Sequence, residues 1–291
     1  MEELLPKTTI NWFPGHMAKT RRMIKESLPS VDLVIEVLDA RIPFASKNPE
    51  IDKIIDQKPK LVLLSKSTLS DPAVCKEWER YYKQQGNNCL FCDFITGYNV
   101  KNIVPAIKET VAHVIKRYNE KGMSGRAVTA MVVGIPNVGK STFINTLCGG
   151  KKAKAENRPG VTKTKQWLKS EYGVDLLDMP GVLWPKFEDQ TVGQSLALTG
   201  AIKDEILDIE ELAVILCSRL KKLYPELLCS RFKLSEEELE TCESGYETLL
   251  LIGKKRGCLI SGGEIDETRI SNILIEEFRS AKIGKISLER P

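Results

Sequence analysis

The chain has 291 residues, of which 42% are hydrophobic and eight are cysteines. This length and composition are typical of a soluble protein with one full α/β domain and a smaller second domain, and such a chain does not need disulfide bonds to fold. Its 43 basic and 39 acidic residues give a net charge of +4, which is too small to indicate a nucleic-acid-binding protein by itself.

The start of the chain, Met1-Glu2-Glu3-Leu4-Leu5-Pro6, is acidic and lacks the apolar segment of a signal peptide. No later stretch approaches the roughly 18 to 20 apolar residues of a membrane span. We therefore expect a cytoplasmic monomer with no membrane partner. Cys89 and Cys92 have the spacing of metal ligands, but no second cysteine pair or nearby histidine accompanies them in the sequence, so we expect neither zinc nor redox chemistry there.

Predicted helices and strands alternate strictly in the first part of the chain. In chain order the patterns predict a helix over 16–28, a strand over 31–38, a helix over 49–57, a strand over 61–64, a helix over 72–85, a strand over 89–94 and a helix over 100–120. This alternation favours parallel βαβ units with right-handed crossovers. The expected fold class is therefore α/β, with a doubly wound and mostly parallel sheet.

The alternation continues to about residue 190 and then stops. Its later part comprises a strand over 127–133, a helix over 141–148 and strands over 166–170 and 174–177. Beyond it, the patterns predict only helices, over 191–202, 209–222, 225–232, 235–254 and 271–281. We predict three parts: an N-terminal extension with an amphipathic helix (1–28), a nucleotide-binding domain (29–189) and a helical domain (190–291).

The run from Gly134 to Ser141 matches the phosphate-binding pattern G-x-x-x-x-G-K-[ST]. Its glycines let the loop curl so that backbone N–H groups point at phosphate, while the lysine supplies a positive charge and the serine a Mg²⁺ ligand. A predicted buried strand precedes the run and a predicted helix follows it, as this motif requires. We predict that the nucleotide-binding residues here are Asn137, Val138, Gly139, Lys140, Ser141 and Thr142.

Asp178 and Gly181 follow the predicted strand over 174–177, with the spacing of a Walker-B or switch element. The carboxylate can hold Mg²⁺ through water, and the glycine N–H can sense a γ-phosphate. Thr162, in the preceding loop, could close on Mg²⁺ when a third phosphate is present, and Thr164 is the competing choice. Such a loop would be ordered by triphosphate and released on hydrolysis.

Proteins that bind guanine nucleotides usually recognise the base with an Asn-Lys-x-Asp motif after a strand, and no such motif follows Gly181. Upstream, the strand over 61–64 runs into Ser65-Lys66-Ser67-Thr68, where the lysine is kept, serine replaces asparagine and threonine replaces aspartate. The base-reading segment would therefore precede the phosphate-binding loop in the chain, in the reverse of the usual order.

With this order of motifs, the chain closely resembles the YlqF/RbgA family of circularly permuted GTPases, which assist late assembly of the large ribosomal subunit. The resemblance spans essentially the whole chain and is carried by residues 12–19, Asp39-Ala40-Arg41-Ile42-Pro43, 134–142, Arg158-Pro159-Gly160-Val161-Thr162, Asp178-Met179-Pro180-Gly181, Trp184-Pro185-Lys186-Phe187, 255–259 and 261–263. It implies a circularly permuted Ras-like P-loop GTPase domain whose base-reading elements come first, followed by a small all-α RNA-binding domain.

The resemblance also implies roles for individual residues. Lys140 and Ser141 would hold the β- and γ-phosphates and Mg²⁺, Thr162 would be the switch threonine, and Asp178 with Gly181 would flank the γ-phosphate. Asn137 matches the P-loop asparagine that coordinates K⁺ in related potassium-stimulated GTPases.

The catalytic group is less conventional. Ras-like enzymes place a water-orienting glutamine after the switch glycine, but this chain has Val182 there. The resemblance offers His16, in the segment Phe13-Pro14-Gly15-His16, as the substitute catalytic residue beside Lys140, Thr162 and Gly181. The alternative for His16 is a structural role in capping the turn.

Two departures from the family pattern concern the base. The usual aspartate accepts two hydrogen bonds from guanine, whereas Thr68 has one neutral hydroxyl. Hydrogen bonds to a charged group contribute about 1.5 to 3 kcal/mol each, so losing two weakens GTP binding by roughly 10² to 10⁴. Asp71 could partly substitute if the loop shifts. The second base loop, over 93–97, also lacks the usual small Ser-Ala pair.

The leading hypothesis is a GTP-hydrolysing assembly factor for the large (50S) ribosomal subunit that binds rRNA in its triphosphate state and is released on hydrolysis. GTP and GDP would be its ligands, Mg²⁺ its cofactor and K⁺ a possible second ion. Local basic clusters such as Lys254-Lys255-Arg256 could contact RNA phosphates, or could be solvated surface. The alternatives are a nucleotide-independent RNA-binding scaffold and a P-loop NTPase with relaxed base choice.

Overall fold

A computed structural model describes residues 15–55, 58–150, 165–181, 183 and 189–291. These residues divide into two compact units. One unit holds the described residues up to 183 together with Glu289–Pro291, and the other holds residues 189–288. The predicted domain limits stay predictions, but the helix that begins at Gly15 packs within the first unit, as the core contacts below indicate.

The first unit alternates helices and strands as the sequence predicts. Its elements are α1 (Gly15–Ser27), β1 (Leu33–Asp39), α2 (Pro49–Ile55), β2 (Lys60–Ser65), α3 (Pro72–Gln84), β3 (Asn88–Phe91), α4 (Ile103–Thr110), α5 (Ala112–Glu120), β4 (Val128–Val133), α6 (Lys140–Cys148), β5 (Gln166–Lys169) and β6 (Val174–Asp178).

The six strands form one sheet in the order β3-β2-β1-β4-β6-β5. All neighbouring pairs are parallel except β5 with β6, which is antiparallel. The chain builds outward from β1 to β3 and then returns to place β4 on the other side of β1. Ligands of such sheets bind at the carboxyl ends of the strands where the winding reverses, so the junction of β1 and β4 is the expected position of a site.

Helices cover both faces of this sheet. On one face, Ile24 of α1 and Ile51 of α2 pack with Val34, Met131 and Leu177 of the strands. The α3 side chains Val74, Trp78 and Tyr82 pack against β1 and β2 on the same face, because Leu38 in this cluster lies an even number of residues from Val34 along β1. The alternate residues of β1 point to the opposite face and are also buried, and helices α4 and α6 contact the sheet strands as well. Because both faces are covered, β1 is buried along all seven residues, which explains its nearly continuous run of apolar residues. The first unit is therefore a doubly wound, mostly parallel α/β domain, as the sequence predicts.

The second unit is all-helical among its described residues. It contains α7 (Gln190–Leu198), α8 (Ile209–Leu223), α9 (Pro225–Phe232), α10 (Glu236–Thr241), α11 (Gly245–Lys255) and α12 (Glu267–Arg279). The central helix α8 contacts α7, α9, α11 and α12, and it buries Leu212, Leu216 and Leu220. None of the helices in the described ranges is both long and apolar enough to span a membrane.

Two predicted helices are each divided in the structure. The helix predicted over 235–254 becomes α10 and α11, because the Ser244 side chain accepts a hydrogen bond from the Glu247 N–H and begins a new helix. This is an N-cap signal of the kind the sequence carries at Ser235, where a capping box with Glu238 starts α10. The helix predicted over 100–120 divides at Val111, where no glycine or proline marks the break.

Gly245 is a position where the helical unit is sensitive to one methyl group. A Cβ atom there would lie 2.3 Å from the Val214 carbonyl oxygen and 2.1 Å from Ser218 Oγ, both on α8. Because the backbone of α8 would have to move, we expect Gly245→Ala to destabilise this unit by about 2 to 3 kcal/mol. Urea unfolding followed by far-UV circular dichroism measures this, and Lys254→Ala, an exposed change on the same helix, should shift the unfolding free energy by less than about 0.5 kcal/mol.

Candidate functional site

The predicted phosphate-binding loop leaves the carboxyl end of β4, at the junction with β1. Gly134 has a φ of +149°, and a Cβ atom on it would lie 2.4 Å from the Val37 carbonyl oxygen of β1. Gly139 also has a positive φ, of +98°. Both positions therefore require glycine because of their positive φ, and Gly134 requires it also because the backbone of β1 is so close. The loop lies where the winding of the sheet reverses.

Lys140 begins α6 and is buried, with 7% of its surface exposed. Its Nζ donates a hydrogen bond to the Ile135 carbonyl oxygen at 2.8 Å. A Cβ atom on Gly181 would lie 2.7 Å from the same Nζ, so the predicted phosphate lysine and the predicted γ-phosphate glycine are neighbours. Burial lowers the pKa of Lys140 to about 8, although the nearby Asp178 carboxylate opposes this shift.

Asp178 ends β6, directly beside β4 in the sheet. Its side chain is buried, and its Oδ1 atom has no hydrogen-bond partner among the described residues. Burial raises the pKa of this carboxyl to about 6, against the lowering effect of Lys140. A buried carboxylate oxygen without a partner is costly unless something binds it. Mg²⁺ prefers oxygen ligands, so Asp178 has suitable chemistry for the expected ion.

The predicted base-reading segment lies beside the phosphate loop. Ser65 Oγ is 2.5 Å from the Val138 carbonyl oxygen and 2.9 Å from the Leu38 carbonyl oxygen. Its single proton can be donated to one of these at a time. Lys66 has a left-handed backbone, with a φ of +55°. The reversed order of motifs in the chain therefore still places Ser65 next to the loop that contains Gly139.

A buried ion-pair cluster supports this segment. Arg41 holds Asp39 through three hydrogen bonds, from its backbone N–H to Oδ1 at 3.1 Å, from Nε to Oδ1 at 2.9 Å and from Nη2 to Oδ2 at 2.7 Å. Lys66 Nζ lies 3.1 Å from Asp39 Oδ2. Burial by itself opposes ionisation, but Arg41 and Lys66 hold the pKa of Asp39 well below its usual range. The role of Asp39 in anchoring Lys66 was missed by the sequence analysis, since nothing in either motif indicates this contact.

The second base loop contributes two more side chains that sequence reasoning passed over. Asp93 is buried, and its Oδ2 accepts a hydrogen bond from the Thr68 hydroxyl. The ring of Phe94 lies against the phosphate loop, 3.3 Å from the place of a Cβ on Gly139, and it packs on Phe143 with ring centroids 5.3 Å apart. Their signal in the sequence was the unusual loop over 93–97, which has these residues where small ones are typical.

Asp71, the considered substitute for the missing base-reading aspartate, has another role in the structure. Its side chain accepts a hydrogen bond from the Ala73 N–H at 2.8 Å and caps the N-terminus of α3. Such a cap contributes about 1 kcal/mol to helix stability. The loop shift that would bring Asp71 to a base would therefore cost this cap.

Several predicted residues lie outside the described part of the chain. These are Thr162, its competitor Thr164, the residue Val182 after the switch glycine, and the motif segments over 12–14, 158–162 and 184–187. His16 lies within α1, but its side chain is outside the described part. Ser141 and Thr142 lie in the first turn of α6, and Asn137 has a left-handed backbone in the loop before it.

Comparisons with known proteins match this arrangement. The family described as 50S ribosome-binding GTPase matches residues 129–240. A relative from Priestia megaterium, named Ribosome biogenesis GTPase A, is 48% identical over 97% of this chain and 97% of its own length. The GNP-bound structure of YlqF from T. maritima has a TM-score of 0.62 at 27% identity and covers 94% of this chain and 98% of that one. A GDP-bound structure of YlqF gives the same TM-score and identity, with 93% and 99% covered.

Proposed function

The chain belongs to the ribosome biogenesis GTPase A family, and from this membership we propose that it binds rRNA of the large ribosomal subunit in its GTP-bound state and leaves after hydrolysis. The family membership makes it a GTPase that acts in ribosome assembly. The choice of the large subunit, the timing of release and the residues that perform each step belong to the proposal.

One observation carries the assignment of the nucleotide site. Lys140, Asp178 and Gly181 come together where the sheet winding reverses, and Ser65 lies within 2.5 Å of the loop that precedes Lys140. The proposal places the phosphates at the N-terminus of α6, where backbone N–H groups and the helix dipole favour negative charge. The base then lies toward Ser65 and the loops that follow β2 and β3.

The proposal assigns Mg²⁺ to Ser141, at the start of α6, and to Asp178, with Thr162 joining them in the triphosphate state. The Oδ1 of Asp178 supports this assignment, because it is buried and has no hydrogen-bond partner in the part of the chain that the structure describes. The ion would neutralise charge on the β- and γ-phosphates. Lys140 would hold the same phosphates, and the Gly181 N–H would be a γ-phosphate contact. The family resemblance adds His16 as the catalytic group and Asn137 as a K⁺ ligand, which predicts faster GTP hydrolysis in KCl than in NaCl.

Titration of GTP, GDP and ATP in the presence of Mg²⁺ tests the nucleotide assignment. We expect GTP and GDP to bind and to stabilise the protein against thermal unfolding, since a ligand of the native state raises stability in proportion to RT ln(1 + [L]/Kd). Failure of every nucleotide to bind at millimolar concentration would leave the RNA-binding scaffold as the better description. Equal binding of ATP and GTP would favour an NTPase with relaxed base choice.

The rRNA assignment is tested separately by sedimentation with large-subunit particles. We expect co-sedimentation with GTP and a non-hydrolysable analogue that exceeds co-sedimentation with GDP. It should weaken by about 10-fold or more between 50 and 200 mM salt, because each phosphate contact releases a counterion. Small-subunit particles are the matched control. Binding to both particles alike, or binding insensitive to salt, contradicts the assignment.

A further inference from the structure

Thr68 occupies the position where the family pattern has its base-reading aspartate, and its hydroxyl is held by a carboxylate from the other base loop. The hydroxyl donates its proton to Asp93 Oδ2. The other carboxylate oxygen, Oδ1, accepts hydrogen bonds from the N–H groups of Ile95 at 2.9 Å and Thr96 at 3.1 Å. Both oxygens of Asp93 therefore act as acceptors, and Asp93 is fixed by its own loop.

A further contact joins the two loops. The Ser67 N–H donates to the Cys92 carbonyl oxygen at 3.2 Å, so the backbones that carry Thr68 and Asp93 are directly hydrogen-bonded. Thr68 itself is half-buried, while Asp93 is only 5% exposed. A ligand at this corner would therefore meet the threonine oxygen first, with the aspartate behind it.

A hydroxyl has one proton to donate and two lone pairs to accept with. Because the proton of Thr68 is committed to Asp93, its oxygen can only accept hydrogen bonds from a ligand. Guanine and hypoxanthine carry a hydrogen on N1, whereas adenine presents a lone pair there. An oxygen restricted to accepting would therefore bind the N1–H of a 6-oxopurine and repel the N1 of adenine.

We propose that Asp93 is a specificity-determining residue, which fixes the Thr68 hydroxyl as an acceptor and so selects nucleotides of 6-oxopurines over ATP. This inference rests on the proposed nucleotide site and deepens it. Selectivity comes from one neutral acceptor with a carboxylate behind it, rather than from a carboxylate in direct contact with the base. The site should accordingly recognise N1–H more strongly than the 2-amino group of guanine.

Competition of unlabelled GTP, ITP and ATP against ribose-labelled GDP measures this selectivity. In the wild-type protein we expect GTP to bind about 10- to 100-fold tighter than ATP, as one such hydrogen bond and the avoided repulsion predict. ITP should bind within about tenfold of GTP. Thr68→Val keeps the side-chain shape and removes the hydroxyl, so it should bring the GTP-to-ATP preference close to one.

Asp93→Asn gives a readout that a merely structural role would not produce. Its amide oxygen can still accept from the Ile95 and Thr96 N–H groups, but its NH₂ group donates to Thr68 and releases the hydroxyl proton. The hydroxyl can then donate to the N1 of adenine. We therefore expect ATP binding to tighten by about tenfold, while GTP binding weakens or stays unchanged.

A last pair of variants moves the carboxylate from position 93 to position 68. Thr68→Asp alone would place two carboxylates in contact, and like charges disfavour each other, so GTP should bind more weakly than to the wild type. Thr68→Asp combined with Asp93→Asn removes this repulsion and should bind GTP at least about tenfold more tightly than the wild type does. The effects of the two changes should thus be strongly non-additive.

The outcomes separate this inference from the proposed function. If the wild type binds no nucleotide, the proposed site itself is wrong. If GTP binds but Thr68→Val keeps the full GTP-to-ATP preference, or Asp93→Asn leaves ATP binding unchanged, the inference is wrong and the site stands. Thermal unfolding without nucleotide verifies that each variant is folded, and Asp71→Asn, at the nearby helix cap, is the matched control that should leave base preference unchanged.

Discussion

Replacing Lys140 by methionine is expected to weaken GTP binding by about 10² to 10⁴ while making the nucleotide-free protein more stable. The loss follows from removing charge-assisted hydrogen bonds to two phosphates, each contributing about 1.5 to 3 kcal/mol. The gain follows from burial, which lowers the pKa of Lys140 to about 8 because it disfavours the charged form of the ammonium group. The lowered pKa already includes the opposing attraction of Asp178, so burial of the ammonium group is unfavourable overall. Methionine has a similar volume and no charge, so we expect about 1 to 3 kcal/mol of added stability at pH 7.

The pH dependence identifies the cause of this gain. Between pH 8 and the ordinary lysine pKa of 10.5, the unfolded chain keeps the proton that the native state loses, so the wild type gains stability over this range. The advantage of Lys140→Met should therefore shrink as the pH rises from about 8 toward 10.5.

Urea unfolding followed by tryptophan fluorescence measures this effect in the sheet-bearing unit, because Trp78 lies in α3 and Trp167 in β5, whereas residues 189–288 contain no tryptophan. Lys169→Met, at an exposed lysine of β5, is the control for loss of a positive charge. It should leave GTP affinity within about twofold of the wild type and unfolding within about 0.5 kcal/mol. A variant that is destabilised at pH 7, or that still binds GTP normally, contradicts the assigned role of Lys140.

The phosphate side of the site was predictable because its requirements are local. A glycine-rich loop between a buried strand and a helix has few possible conformations. The position of the run from Gly134 to Ser141, directly after β4, could therefore be predicted from the sequence. Asp178 and Gly181 followed from spacing, since parallel strands end at the same edge of the sheet. The structure adds their mutual geometry, in which Gly181 lies against the Lys140 ammonium group.

The base side was only half predictable, because its chemistry depends on contacts between loops that are distant in sequence. The Ser65 to Thr68 segment was found from its lysine and its preceding strand. Its altered residues appeared to be losses when each motif was considered alone. The bond from Thr68 to Asp93 spans 25 residues, and no pattern within either loop indicates it. Only the fold shows that the two departures from the family pattern face each other.

The elements were predictable to the extent that hydrophobic periodicity determines them. All strands of the sheet were found. The four inner strands, β1, β2, β4 and β6, are apolar runs at the core, whereas the edge strands β3 and β5 are more exposed. The division at Val111 escaped prediction because the apolar periodicity continues through it without a breaking residue. The division before α11 had a signal in the sequence, because Ser244 is an N-cap residue. It was not recognised because apolar residues on both sides of Ser244 suggested one continuous helix.

Asp178→Asn is expected to reduce GTP hydrolysis by about 10² to 10³ and to remove most of the Mg²⁺ dependence of nucleotide binding. The magnitude is that of losing one preorganised electrostatic contact at a phosphoryl-transfer site. Asparagine keeps the shape of the side chain but supplies a neutral oxygen. Asp175→Asn, three residues earlier on β6, removes a carboxylate at a half-exposed position and should leave both properties within about twofold of the wild type.

The acid side of the pH–rate profile gives the same residue a second test. Because burial raises the pKa of Asp178 to about 6, the carboxylate that we propose as the Mg²⁺ ligand becomes protonated below that pH in the free enzyme, and kcat/KM for GTP should fall there. The profile of Asp178→Asn should be low and flat over the same range.

The unfolding free energy of the nucleotide-free protein should depend on pH in the opposite sense. Between the ordinary aspartate pKa of 3.8 and about 6, the native state holds a proton that the unfolded chain lacks, so stability from this group falls as the pH rises. Asp178→Asn should therefore be more stable than the wild type at pH 7, by an amount that shrinks below pH 6. A wild type whose kcat/KM is constant from pH 5 to 7, or an Asp178→Asn variant that is less stable at pH 7, would show that Asp178 is not the Mg²⁺ ligand. If the expected results are obtained, Asp178 and Lys140 form a pair of buried charges whose burial is unfavourable in the nucleotide-free protein and is compensated when Mg²⁺ and phosphates bind.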